Sequence, residues 1–235
     1  MSSAVSLVAL ALLGGVKAQP CRPTVACTAE LVPAGHVEVE LGSLASGAGA
    51  SINLLTKLSL LDRLQVQLGT DNFLAFDGAQ LTAVDGAVAV LKGKLFGQAG
   101  WRPALSLSAR IALPTRPPLP AAQGAVDLGG TVHLSKDLGW LHADLNGTVT
   151  AFSLREVQGQ GALAFSTGLP ANFGVALEVH STFGNRRRPD DGGLRGVVTW
   201  SPGDRFVLDL GADLGFFRDS RAWSLFLGFV FVPTA

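Results

Sequence analysis

Apolar and polar residues alternate along most of this chain, and the alternation is long. Within 205–217, RFVLDLGADLGFF, Leu208, Leu210, Ala212, Leu214 and Phe216 fall on one side, with Asp209, Gly211, Asp213 and Gly215 on the other. Leu105, Leu107, Ala109, Ile111 and Leu113 oppose Ser106, Ser108 and Arg110, while Leu141, Ala143, Leu145, Val149 and Ala151 oppose His142, Asp144, Asn146, Thr148 and Thr150. Val126, Leu128, Val132 and Leu134 oppose Asp127, Thr131 and His133, and Val175, Leu177, Val179 and Phe183 oppose Glu178, His180 and Thr182. A period of two marks strands whose two faces meet different surroundings. The rows persist for about nine to eleven residues, the length a tilted strand needs to cross a bilayer and nearly twice that of an ordinary soluble strand. A soluble sandwich would also alternate, but its outer faces would carry dense Lys and Glu, whereas these polar rows hold small residues and isolated charges. The pattern predicts an all-β chain: a closed antiparallel transmembrane β-barrel of about 12 strands over 35–231, closing between a first strand near His36 and a last near Phe229.

The connections fall into two kinds. Leu61-Asp62-Arg63, Gln98-Ala99-Gly100, Lys136-Asp137-Leu138-Gly139, 167–172 and Ser201-Pro202-Gly203-Asp204 read as tight turns. Those after the third, fifth and ninth strands read as longer, including 114–124 and 184–193. Tight turns on one rim and longer loops on the other predict an outer-membrane barrel with both termini in the periplasm. Trp101, Trp140 and Trp200 each stand beside a tight turn, as aromatics of the periplasmic interface would, and Trp223 belongs near the opposite rim.

Composition agrees with lipid as the main solvent. Hydrophobic residues make up 48% and charged residues only 15%, against about 25% charged in soluble proteins. The 18 basic and 18 acidic side chains cancel, which gives no reason to expect nucleic acid as a partner. After residue 30 no apolar run is long enough for a membrane helix.

The apolar run Val5 to Val16, followed by Lys17-Ala18, predicts a secretory signal peptide over 1–18, although no Lys or Arg precedes it. Residues 19–34 then read as a periplasmic N-terminal segment and 232–235 as a C-terminal tail. Cys21 and Cys27 would meet an oxidising compartment, where a short-loop disulfide is expected. Lipidation of Cys21 is the alternative, though Ala18-Gln19-Pro20 lacks the small residue that cleavage normally requires. Two cysteines without a nearby histidine make a poor zinc site, and neither metal nor cofactor is expected.

By alternation the lumen should receive Glu38, Glu40, Lys57, Gln65, Gln67, Lys92, Lys94, Arg110, Asp127, His133, His142, Asp144, Glu178, His180, Arg195, Asp209 and Asp213. Two readings of this mixed-sign lining stay open: a selectivity lining for a polar or aromatic solute, or a salt-bridge network bracing a narrow barrel. An enzyme is disfavoured, because the histidines are scattered and no GxSxG occurs. A closed structural or adhesive barrel is a third class. Asn185-Arg186-Arg187-Arg188-Pro189-Asp190-Asp191 reads as a solvated outer loop, with lipopolysaccharide phosphates as a sharper alternative.

Two stretches carry a family resemblance. KLSLLDRLQVQLG (57–69) is similar to a strand, Asp-Arg turn, strand pattern, and LDLGADLGFFRDSRAWSLFLGFVF (208–231) to a closing hairpin, of the outer-membrane transporter family associated with the meta-cleavage pathway of phenol degradation. The resemblance implies an outer-membrane barrel passing small organic compounds, and it carries over no catalytic or binding residue. The last strand, WSLFLGFVF, also resembles the C-terminal strands read by the outer-membrane assembly machinery, with its final aromatic set back by Val232-Pro233-Thr234-Ala235.

Two sharper expectations follow. Leu210→Arg should impair assembly, since a cation at the bilayer midplane costs about 2–4 kcal/mol, while Gly211→Ser on the lumen face should be milder. If Asp137-Leu138 is the tip of a two-residue hairpin, Lys136 pairs with Gly139 and His133 lies opposite His142, either as a cross-strand hydrogen-bonding pair with no role in transport or as a pair placed to gate by pH or to take up a transition metal.

Overall fold

The computed structural model describes residues 18, 21, 24–47, 49–77, 80–113, 126–153, 156–184, 191–217 and 222–233. Twelve strands follow in order: β1 (Val37–Ser46), β2 (Gly49–Leu61), β3 (Leu64–Asp77), β4 (Gln80–Phe96), β5 (Ala104–Leu113), β6 (Asp127–Asp137), β7 (His142–Phe152), β8 (Glu156–Gly168), β9 (Phe173–Phe183), β10 (Asp191–Gly203), β11 (Phe206–Gly215) and β12 (Trp223–Phe231). Each pairs antiparallel with its sequence neighbours, and β1 pairs with β12, so the sheet closes into a barrel without an edge. Closure matters because an open strand edge in hydrocarbon would leave backbone N–H and C=O groups unsatisfied.

The two faces part as the alternation predicts. Leu210, Leu214, Leu225, Leu227 and Leu177 are each more than half exposed on the outer surface, while Asp209, Asp213 and Glu178 between them are buried inside. Gly211 also points inward, but its place is taken. A Cβ there would lie 2.2 Å from the Phe226 ring and 2.5 Å from the Gly196 carbonyl oxygen. Gly211→Ser would therefore have to displace the Phe226 ring or the Gly196 carbonyl, a cost that its place on the lumen face does not announce.

Two connections differ from expectation. The third is not a long loop, because β3 runs to Asp77 and β4 resumes at Gln80. The turn between β6 and β7 is four residues long, Leu138–Leu141, closed by a Leu138 N–H to Leu141 carbonyl bond of 2.7 Å, with Gly139 at φ +87°. The last paired residues are thus Asp137 and His142, and His133 faces Asn146. The predicted His133–His142 pair does not exist. A left-handed glycine lets the loop close on four residues where two were assumed, and the whole register moves with it.

Of residues 19–34, expected as a periplasmic segment, those described between Cys21 and Val32 lie against the inner wall. Ala26, Ala29 and Val32 are buried, and Cys21, Val25 and Thr28 bond to inward-facing side chains of the strands. Ala18 sits at the tight-turn rim, donating to the Asp204 carbonyl and packed against Val207, Val230 and Val232. Residues 1–17, which hold the rest of the expected signal peptide, and 185–190 of the expected outer loop are outside the described residues.

Candidate functional site: the plugged lumen

The N-terminal segment enters from the tight-turn rim, rises to mid-height and winds back down the inner wall. Its tip is Val25–Ala26. Both backbone amides donate to one carboxylate, that of Glu178, at 3.0 and 2.7 Å. Glu178 is halfway along β9, so the tip reaches the middle of the barrel. Ala26 also packs on Ala162 and Ala164 of β8. Beyond the tip the chain passes along the wall almost strand by strand. The Cys27 carbonyl accepts from His133 Nδ1 on β6 at 3.3 Å, and the Ala29 N–H donates to Ser135 Oγ on the same strand at 2.6 Å. The Ala29 carbonyl accepts from Ser106 on β5, the Thr28 carbonyl accepts from Lys92 on β4 at 2.5 Å, and the Glu30 carboxylate pairs with Lys94. The Val32 N–H donates to Gln65 Oε1 on β3 at 3.0 Å and the Gly35 N–H to the Ser59 carbonyl on β2 at 2.8 Å, after which β1 begins. Cys21 and Cys27 form a disulfide, as expected, and the Cys21 N–H donates to Glu40 Oε1 at 2.8 Å.

Most of these contacts use the plug's backbone, and the wall supplies side chains of matching polarity: carboxylates and amide oxygens for N–H groups, ammonium, hydroxyl and imidazole for carbonyls. Under the plug, Lys57 Nζ lies 2.8 Å from Glu38 Oε1 and also bridges Glu40, with all three side chains no more than 1% exposed. Charges so enclosed persist only when paired, and each carboxylate here meets a cation.

The remaining candidates line the wall in two further groups. At the loop end Asp213 Oδ2 accepts from His180 Nε2 at 2.8 Å and from Arg195 Nη2 at 2.7 Å. Arg195 stacks over the Phe226 ring at 5.0 Å and comes within 3.9 Å of Glu178. At the tight-turn end His142 bridges Asp137 and Asp144, at 2.6 and 3.1 Å. Arg110 and Gln67 lie on the same inward rows, Asp127 accepts the Ser153 N–H at 2.7 Å, and Asp209 is buried opposite Gly228. Trp101 and Trp140 lie in tight turns, Trp200 is near the tight-turn end of β10, and Trp223 opens β12 at the other rim. Ser59, Ser106, Ser135 and Asn146 also line the interior from the same polar rows, and Phe226 joins them although alternation gives no sign that an aromatic ring faces inward there.

Among the described residues, space remains along the β8–β11 wall. A cavity of about 380 Å³ at the tight-turn end is bordered by Thr24, His142, Asp144, Ala164, Ala176 and Val197. A second, of about 210 Å³ at the loop end, is bordered by Val25, Gln160, His180, Arg195 and Asp213. Thr24 edges one and Val25 the other, so the plug's tip is the partition between them.

No protein-family model matches the chain, and no curated protein is detectably similar in sequence. Solved structures do resemble it. The COG4313 outer membrane channel from Pseudomonas putida F1 superposes with a TM-score of 0.63 at 15% identity, covering 87% of this chain and 97% of that one. The KdgM porin, solved in complex with disordered oligogalacturonate, gives 0.61 at 8% identity over 83% of this chain and 98% of its own, and the NanC porin gives 0.60 at 9% over the same shares. The fold is that of an outer-membrane channel barrel.

Proposed function

We propose that this chain is a narrow outer-membrane channel for small organic solutes, held shut by its own N-terminal segment. The observation that carries the reading is the pair of cavities on the β8–β11 side, separated by Val25–Ala26 where both amides are latched on Glu178. A solute passing along that wall would meet small or apolar groups, Ala164, Ala176 and Val197, before the Arg195–His180–Asp213 group. Compounds with a compact apolar body and a polar substituent suit such a path, consistent with the aromatic-degradation association of the family that the sequence resembles. The tight-turn rim faces the periplasm in this reading, the apolar outer wall faces the bilayer, the loops meet lipopolysaccharide, and the last strand is read by the assembly machinery. We assign no catalytic role: His133, His142 and His180 stand on three different strands in separate hydrogen-bonded groups.

The rival is a closed structural barrel whose plug never leaves. Glu178→Ala removes the acceptor of both tip amides. Hydrogen bonds to a charged group contribute about 1.5–3 kcal/mol each, so the tip should spend at least about tenfold more time released. Planar-bilayer recordings should then show long openings where the wild type shows brief ones. A silent Glu178→Ala barrel, folded and inserted, would favour the structural reading.

A further inference from the structure

We infer that the Cys21–Cys27 disulfide is a thiol-exchange site through which an external thiol loosens the plug, with Lys92 placed to receive the sulfur that leaves. The bond closes a ring around the plug's tip, since residues 24–26 lie between the two cysteines. Thr24 borders the tight-turn cavity and Val25 the loop-end cavity, so the ring meets open space on both sides, and both cysteines are only half-buried. The surroundings of the two sulfurs differ. Lys92 Nζ lies 3.7 Å from Cys27 Sγ and is fixed there by the Thr28 carbonyl at 2.5 Å. The Cys21 backbone instead holds a carboxylate, Glu40. An ammonium stabilises a thiolate and a nearby carboxylate opposes one, and in disulfide exchange the sulfur better stabilised as a thiolate is the better leaving group.

The step is therefore directional. A thiolate from a small thiol such as glutathione attacks Cys21 Sγ. The Sγ–Sγ bond breaks, its electron pair stays on Cys27, and the Cys27 thiolate rests against the Lys92 ammonium, leaving a mixed disulfide on Cys21. A second thiol attacks that mixed disulfide, gives oxidised glutathione and frees the Cys21 thiolate; the two thiols supply the two protons and are oxidised as the protein disulfide is reduced. Once opened, residues 21–27 no longer form a ring wedged between Glu40 on β1, Glu178 on β9 and His133 on β6. A segment freed of that constraint has many more released conformations to visit. The exchange stands on its own geometry, whereas its effect on conduction rests on the channel reading above.

The test uses the full chain, folded in lipid, treated with glutathione in the presence of iodoacetamide and mapped by peptide mass. The expected product carries glutathione on Cys21 and the alkyl group on Cys27. Adducts on Cys27, an even division, or no adduct over hours at millimolar glutathione would overturn the inference. Lys92→Gln should slow the exchange about three- to tenfold while Lys136→Gln, whose ammonium bonds the Gly100 carbonyl at the rim and not the plug, leaves it unchanged; equal rates in all three proteins would likewise count against it. If Lys92→Gln does not fold, the position of the adduct in the wild type decides. In parallel recordings, glutathione should raise the time spent open by about tenfold. Adducts on Cys21 without any change in conduction would leave the exchange site standing and remove its gating role.

Discussion

On the β1–β6 side of the lumen the wall grips the plug along its length, through Ser59, Gln65, Lys92, Ser106, His133 and Ser135, and seals the Glu38–Lys57–Glu40 trio beneath it. On the β8–β11 side the wall carries Ala162, Ala164, Ala176 and Val197 beside the Arg195–His180–Asp213 group, borders two cavities, and holds the plug by Glu178 and a small apolar contact. One side is an anchor and the other a latch. A path on the latch side opens if three residues at the tip move, while the body of the plug keeps its bonds on the anchor side. Release need not expose the buried trio, and the large cost of rehydrating and rearranging that wall is avoided.

The contrast is tested most severely by paired charge deletions. Lys57→Met leaves Glu38 and Glu40 without their shared cation in a sealed site, which should cost about 3–5 kcal/mol. Arg195→Met removes a cation beside the loop-end cavity but leaves His180 bonded to Asp213, and should cost less, about 1–2 kcal/mol. Urea midpoints of the two variants refolded in vesicles should therefore separate widely. Similar midpoints would mean that the anchor side is no better sealed than the latch side.

A smaller effect is expected from filling the path. Ala176 lines the tight-turn cavity outside the cluster that holds the tip, so Leu there would occupy volume now empty on the latch side. Ala176→Leu should slow liposome swelling with small aromatic solutes severalfold. Ser108→Leu, on the anchor side, should change it little if solutes pass only along β8–β11. Slowing by both variants would place the path in the middle of the lumen.

The barrel was legible in the sequence because the contrast between lipid and lumen acts on every second residue, so twelve strands could be counted from local pattern alone. Lys57, Lys92 and Glu178 were legible as lining for the same reason. Their task was not. Val25, Ala26, Ala29 and Val32 bind the wall through backbone N–H groups, which every non-proline residue has, so nothing in their side chains announced a plug. Nor did the β6–β7 register show. It depends on whether Gly139 closes a loop of two residues or four, and Asp137 and His142 give the same alternation in either case. The crowding at Gly211, where a Cβ would stand 2.2 Å from the Phe226 ring, leaves no local signal because that ring belongs to the neighbouring strand.

The finest test compares one acceptor on each side. Ser135 Oγ accepts the Ala29 N–H at 2.6 Å, a neutral acceptor within a series of anchor bonds, whereas Glu178 is a charged acceptor serving two amides at the tip. Ser135→Ala removes about 1 kcal/mol of plug binding, and the neighbouring bonds of Ser106, Lys92 and Gln65 still hold the segment to the wall. If the anchor must not move for conduction, Ser135→Ala should leave the open probability within about twofold of wild type, although the uncoupled bond alone is worth about fivefold. If the whole plug withdraws instead, anchor and latch bonds are broken in the same step, and Ser135→Ala should show its full fivefold. Recordings on Ser135→Ala beside Glu178→Ala therefore distinguish a tip that lifts from a plug that leaves.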